Sequence, residues 1–302
     1  MKNVLFSPSY VLRPPSLRDT KQSGIPPSLR DTKQSRIPPS LRGTKQSRIF
    51  TGLLRRLAMT AVCILLFSTC SGGKTKTGAI VVATSSWTAA YAQAAGAENV
   101  VVLAPYTMAH PSEYELRPGD IPKLMEATVI VYAGYEVMTE RLTKGLDLPS
   151  EKLLLVETEY NYTKIAQSVM ELATLLGTVP AARENLLEIR SAFEDGRKAV
   201  KEKKWTGQKV VVHRFLAPLA QELGLNPVVI FGPGAPEVLD IVTVSKSNAF
   251  IIMDNRHNPV GLPFKEVLPY ALYKQLLNFP GHLGTKSLSD VIRYNVSQIL
   301  SE

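Results

Sequence analysis

The 302-residue sequence predicts an α/β protein of two lobes, each a mostly parallel sheet covered by helices, joined by a long spanning helix. Three observations predict it. Short β-branched runs alternate with amphipathic segments from Ala79 to residue 176, the pattern of strands that feed covering helices. The same alternation restarts at Lys209 and runs to the end of the chain. Between the two series lies one uninterrupted helical pattern, residues 180–203.

The chain opens on a leader, residues 1–54, with a 12-residue repeat: PPSLRDTKQSGI at 14–25, PPSLRDTKQSRI at 26–37 and PPSLRGTKQSRI at 38–49. Few apolar residues and paired prolines leave it little to bury, so disorder is expected. It is read as lying outside the mature protein, as repeat DNA translated ahead of a true start would. The other reading is a basic arm for nucleic acid or membrane. Residues 1–57 hold 12 Lys and Arg against 2 Asp, and the remainder holds 23 basic against 24 acidic residues. The net charge of +9 therefore belongs to the leader, and the rest of the chain gives no support for nucleic-acid binding.

Residues 55–70 read as a secretory signal. Arg55 and Arg56 precede an apolar run, LAMTAVCILLF at 57–67, too short to span a bilayer comfortably. The exit, Phe67-Ser68-Thr69-Cys70, resembles a lipoprotein signal in which Cys70 becomes the lipidated first residue, although Phe67 stands where Leu is more usual. An ordinary secretory signal or short anchor is the other reading. Residues 71–77 would then tether an extracytoplasmic, membrane-anchored protein. No cysteine follows Cys70, which excludes an internal disulfide or a thiolate metal site from the mature fold.

The first lobe is expected over residues 78–179. Strands are predicted at 80–83, 99–103 (NVVVL), 128–132 (TVIVY) and 152–156 (KLLLV), with helices from Ser85-Ser86 to residue 95, at 118–127, near 136–144 and at 164–176. Strands apolar on both faces imply a helix-covered parallel sheet. The linking segment, 180–205, opens with Thr178 as cap and Pro180 in the first turn, and its helix carries the stripe Leu186, Leu187, Ile189, Phe193 and Val200. At 1.5 Å per residue it would be about 36 Å long. The second lobe, 206–302, is expected to hold strands at 209–212, 227–231 and 250–253 (FIIM), a short one at 277–279, and helices at 215–223, from Pro236, at 264–275 and at 288–300.

In open α/β sheets, ligands bind beyond the carboxyl ends of the strands. Glu157 and Glu159 follow the strand at 152–156, His213 follows 209–212, and Asp254 follows 250–253 with His257 three residues on. His110 lies seven residues past Leu103. Imidazole plus carboxylate is a ligand set for zinc, manganese or iron as divalent ions. These loops are therefore expected to converge on a metal ion in a cleft between the lobes. No single spacing is a strong metal signature, and His282, in Gly281-His282-Leu283-Gly284, is read as a turn residue.

The stretch AHPSEYELRPGD at 109–120, together with residues 121–134, resembles the first-lobe motif of zinc- and manganese-binding solute-binding proteins of ABC importers. KVVVHRFLAPLAQELGL at 209–225 is similar to that family's third-ligand motif, and helix 180–203 to its rigid connecting helix. The resemblance covers residues 78–300. It departs in detail. Ser112 stands where the family places its first His, with His110 two residues earlier, and ETEYNYT at 157–163 lacks the second His. The His-rich loop of many zinc importers is absent, so the resemblance is to a divergent branch.

The resemblance implies a monomer that holds one divalent ion and passes it to an ABC permease, not an enzyme. His110 and His213 would supply one imidazole from each lobe, Glu159 or Glu157 charge compensation, and His257 or Asp254 the fourth ligand. Closed coordination suits sequestration, because a catalytic metal keeps an open position. The alternatives are a cargo that is a metal chelate or small anion, seated at Gly232–Gly234 and a helix N-terminus, and a metallohydrolase, for which no activated Ser or Cys nucleophile is visible.

Overall fold

The structure, a computed structural model, describes residues 78–301. The leader, the signal segment, the lipidation site Cys70 and the tether lie outside the described residues.

Two four-stranded parallel sheets form the framework. The first takes β1 (Ile80–Ala83), β2 (Asn99–Val102), β3 (Val129–Tyr132) and β4 (Leu153–Leu155) in the order β2-β1-β3-β4. The second takes β5 (Lys209–His213), β6 (Asn226–Phe231), β7 (Ile251–Asn255) and β8 (Leu272–Leu276) in the order β6-β5-β7-β8. Both sheets thus have the same winding, and every strand runs parallel to its neighbours, as strands apolar on both faces require.

Alternation along each strand divides the core into layers. Val81, Val129, Val131 and Leu154 of the first sheet and Val210, Val212, Ile251 and Met253 of the second belong to one continuous inner cluster. Val82 and Ile130 face a separate outer cluster, as do Val211 and Ile252 in the other sheet. The inner cluster is completed by α1 (Ser86–Ala94), α3 (Tyr162–Leu176), α4 (Val179–Glu202) and α8 (Leu288–Leu300). α4 is the long helix, and its Leu186, Ile189, Phe193 and Val200 contribute to the same cluster as strands of both sheets. A fully buried Phe contributes about 1.5–3 kcal/mol, so this helix joins the sheets by its packing. Gly196 marks its closest approach to neighbours: a Cβ there would lie 2.6 Å from Leu223 Cδ2 and 2.8 Å from Val296 Cγ2.

Local signals set the helix ends. Ser85 and Thr88 form a capping box on α1, and the Asn161 side chain accepts from the Lys164 N–H at the start of α3. Gly177 ends α3 in the left-handed region at φ 74°. Thr178 does not cap α4 as expected; its hydroxyl donates to the Ala95 carbonyl instead.

Three other segments differ from expectation. The helix expected near 136–144 starts only at residue 139 and continues as a π-helical turn at Arg141–Gly145; before it, the Glu136 carboxylate binds the N–H groups of Ala133 and Gly134. The helix expected at 264–275 stops as α7 (Phe264–Val267); Pro269 follows within two residues, and the chain turns into β8. Residues 277–279 form the loop after β8 rather than a strand. Among the described residues, no helix is long and apolar enough to cross a membrane.

Candidate metal centre

A cleft of about 790 Å³ opens where the carboxyl ends of all eight strands meet. The first sheet contributes Ser85 after β1, His110 after β2, Tyr135 and Glu136 after β3, and Glu157 and Glu159 after β4. The second contributes Phe215 after β5, Pro233 after β6, Asn255 and His257 from β7 and its loop, and Asn278 and Phe279 after β8.

The His257 imidazole lines this cleft, and a second, that of His282, packs behind it without lining it. His257 stacks on Phe279 with ring centroids 3.9 Å apart and planes at 16°. His282 stands edge-on to His257, with centroids 4.6 Å apart. The Nε2 atoms of His257 and His282 are both buried without a hydrogen-bond partner. Burial lowers the His257 pKa to about 4, helped by the nearby charges of His282, His110 and Arg256. Burial and Arg256 also lower that of His282. Both rings are therefore neutral at pH 7, the form that ligates metals. His110 is exposed on the cleft rim, close enough to His257 for their charges to interact.

Short-range hydrogen bonds hold these rings in place. The His257 N–H donates to Asn255 Oδ1 at 3.1 Å, and Asn255 is itself buried at the end of β7. His282 sits in a turn closed by Gly281 N–H to the Thr285 carbonyl and by Thr285 to the His282 carbonyl. Gly281, at φ 108°, lies against Tyr106: a Cβ would stand 2.8 Å from its ring. His282 is thus a turn residue, as read from sequence, and also part of the imidazole cluster, which that reading missed.

The carboxylates are committed elsewhere. Glu136 accepts from the Thr84 hydroxyl at 2.6 Å and from the N–H groups of Ala133 and Gly134 at 2.9 and 2.7 Å. Glu157 and Glu159 share Lys164 at 2.7 and 2.9 Å. Asp254 is fully buried and accepts from the N–H groups of Asn255 and Gly261 at 2.8 and 2.7 Å and from the Tyr273 hydroxyl at 2.6 Å. It does not line the cleft. Neither does His213, the last residue of β5. Alternation turns both onto the outer face, beside Val211 and Ile252, where the His213 ring packs on Phe215 and Phe231. His213 Nδ1 accepts weakly from the Phe215 N–H at 3.4 Å, and Nε2 has no partner. Burial, against the pull of Asp254, lowers its pKa to about 4.

The structure therefore brings His110, His257, Glu157 and Glu159 to the cleft and leaves His213 and Asp254 behind its wall. Among the described residues, no three His, Cys, Asp or Glu side chains form a group that could hold a metal ion. The stretch at 109–120 serves the wall. Buried Tyr114 donates to Asp120 at 2.8 Å, and Asp120 also binds Lys123, while Glu113 and Glu115 are exposed. The proposed anion seat is filled by the chain itself: Glu237 and Asp240 form the cap of α6 (Val238–Ser245), with the Glu237 N–H 2.8 Å from Asp240 Oδ2.

No protein-family model and no curated protein matches the chain. Solved structures match it in fold. A Mn-bound periplasmic metal binding protein from Candidatus Liberibacter asiaticus aligns with a TM-score of 0.59 at 16% identity over 73% of this chain and 98% of that one. A Cd-bound form aligns at 0.58 with 14% identity and the same coverage. The SBP FpvC from P. aeruginosa, in complex with a Ni2+ ion, aligns at 0.58 with 15% identity over 73% of this chain and 95% of that one. At such identities the likeness is one of architecture: this chain has the two-lobed α/β fold of these proteins.

Proposed function

We propose that the chain is the extracytoplasmic metal-binding component of an ABC importer, which captures a divalent transition ion in the cleft and delivers it to a permease. The observation that carries this reading is the pair of neutral imidazoles, His257 in the cleft lining and His282 packed behind it, with buried, unpartnered Nε2 atoms. A buried nitrogen without a partner costs stability, and a metal ion offers it one. Imidazole donors suit zinc, manganese, iron or nickel. The Mn-, Cd- and Ni-bound proteins that share the fold support the same reading.

His257 and His282 are the central ligands in this proposal. His110 approaches from the other side of the cleft, and Glu159 or Glu157 exchanges Lys164 for the ion when the walls draw in. His213 and Asp254 act from behind, shaping the loops that carry the ligands. The protein is a carrier rather than an enzyme, acts as a monomer, and reaches the membrane through a lipid on Cys70.

Elemental analysis and calorimetry with Zn2+, Mn2+, Fe2+ and Ni2+ on the purified chain test the proposal. One ion per chain is expected. His257→Ala and His282→Ala should each weaken binding by more than the roughly 10–100-fold that outer-shell changes cost, with the circular dichroism spectrum unchanged. Binding that survives both substitutions, or no binding of any of the four ions, would sink it.

A further inference from the structure

The cleft is much larger than an ion needs. Metal–donor bonds are about 2 Å long, whereas about 790 Å³ is the size of a pocket for an organic molecule. Aromatic faces line it from both lobes. Tyr135 from the first and Phe215 from the second are among the lining residues and are 58% and 42% exposed. Exposed rings on opposing lobes form a grip for a flat organic group. Two further buried polar atoms of lining residues, Trp87 Nε1 and Asn278 Oδ1, have no partner. One donates and the other accepts, a pairing that an organic ligand satisfies and a bare cation cannot.

The donor count agrees. The imidazoles are neutral ligands, and the wall carboxylates Glu136, Glu157 and Glu159 already hold partners. Until Glu157 or Glu159 leaves Lys164, part of an ion's coordination is open to donors from outside. The lining carries four glutamates, at 113, 136, 157 and 159, and no Lys or Arg; Lys164, outside it, pairs with Glu157 and Glu159, so the walls keep an excess of negative charge. Such walls favour a net positive complex and repel an anionic one.

Resting on the metal-binding reading above, we infer that the cargo is a cationic complex of a divalent ion with a flat organic chelator. His257 and His282 complete the coordination of the ion, and Tyr135 and Phe215 stack on the chelator.

Calorimetry on the purified chain tests this with three probes: Ni2+ alone, the 1:1 Ni2+–2,2′-bipyridine complex, which is cationic, and the 1:1 Ni2+–citrate complex, which is anionic. The bipyridine complex should bind about tenfold or more tighter than Ni2+ alone, and the citrate complex more weakly than either. The double variant Tyr135→Ala/Phe215→Ala should abolish that advantage while leaving the affinity for Ni2+ alone unchanged. Equal affinities for Ni2+ and its bipyridine complex, with the double variant without effect, would overturn the chelate inference and leave the metal-binding reading standing. Failure of all three probes to bind would overturn both.

Discussion

Asp254 separates two readings of the same residue. As a strand-end carboxylate it is a candidate metal ligand. In the structure it is fully buried, and it closes the loop after β7 by accepting from the Gly261 N–H at 2.7 Å and the Tyr273 hydroxyl at 2.6 Å. Asp254→Ala leaves three donors without this acceptor, and two of them, the Asn255 and Gly261 N–H groups, are buried. Each such orphan costs about 1–3 kcal/mol, so the pair costs roughly 4 kcal/mol at the middle of the range. In a fold of this size each kcal/mol moves the melting temperature by about 2–4 °C, which gives a drop of roughly 8–16 °C. Asp254→Asn, which keeps one acceptor oxygen, should recover about half of the loss. Thermal melts of the metal-free chain measure the effect, and calorimetry at 10 °C measures metal binding by the folded fraction, which should weaken by no more than the roughly 10–100-fold of an outer-shell change. A variant that melts with the parent but has lost its metal would refute the reasoning and return Asp254 to the ligand set.

Two other expectations concern the same framework. Gly196→Ala, in the middle of α4, would ordinarily gain about 1 kcal/mol in helix propensity. Here the added Cβ meets Leu223 at 2.6 Å and Val296 at 2.8 Å, so urea unfolding should show a net loss of about 1–3 kcal/mol, partly restored by Val296→Ala. For His213, burial sets the folded pKa at about 4, below the 6.5 of the unfolded chain. The unfolded state takes up the proton first, so the stabilisation is complete above pH 6.5 and is lost as the pH falls toward 4. Between pH 7.5 and 5 the metal-free parent should lose up to about 2 kcal/mol more than His213→Gln; equal losses would contradict the burial argument.

Much of the architecture was legible because its cause is compositional. Strands buried on both faces must be apolar throughout, and runs such as TVIVY and FIIM show this directly. The helix at 180–203 was found to within one residue at each end, since its stripe, Leu186 to Val200, persists for about four turns and Thr178 and Pro180 mark its start. The site was less legible, for two geometric reasons. β5 extends to His213 and β7 to Asn255, one and two residues beyond the apolar runs that announced them. Inside a strand, side chains alternate, so His213 and Asp254 face outward where a loop position would have let them turn into the cleft. The second reason is β8. Reading 264–275 as one helix, with a short strand at 277–279, concealed β8, and with it the fact that Asn278 and Phe279 follow a strand end. Pro269, which a helix interior does not tolerate, was the signal that could have exposed it.

The two lobes also show why a carboxylate near a strand end is a poor guide to a ligand. β3 and β7 occupy the same third place in their sheets. Each is followed or ended by a buried acid, Glu136 or Asp254; each acid accepts two backbone N–H groups and a hydroxyl at 2.6 Å, and Glu136 also accepts from the Thr139 hydroxyl at 3.3 Å. A desolvated carboxylate is costly until such donors surround it. Once they do, it fixes the loop and has little left to offer an ion. A neutral imidazole has no such demand. It is buried at lower cost and keeps a nitrogen free, as His257 and His282 do. The same loops can therefore be rigid enough to hold a geometry and still present open donors. That division follows from the desolvation cost of each group: the buried acids Glu136 and Asp254 build the frame, and the imidazoles of His257 and His282 keep a nitrogen free.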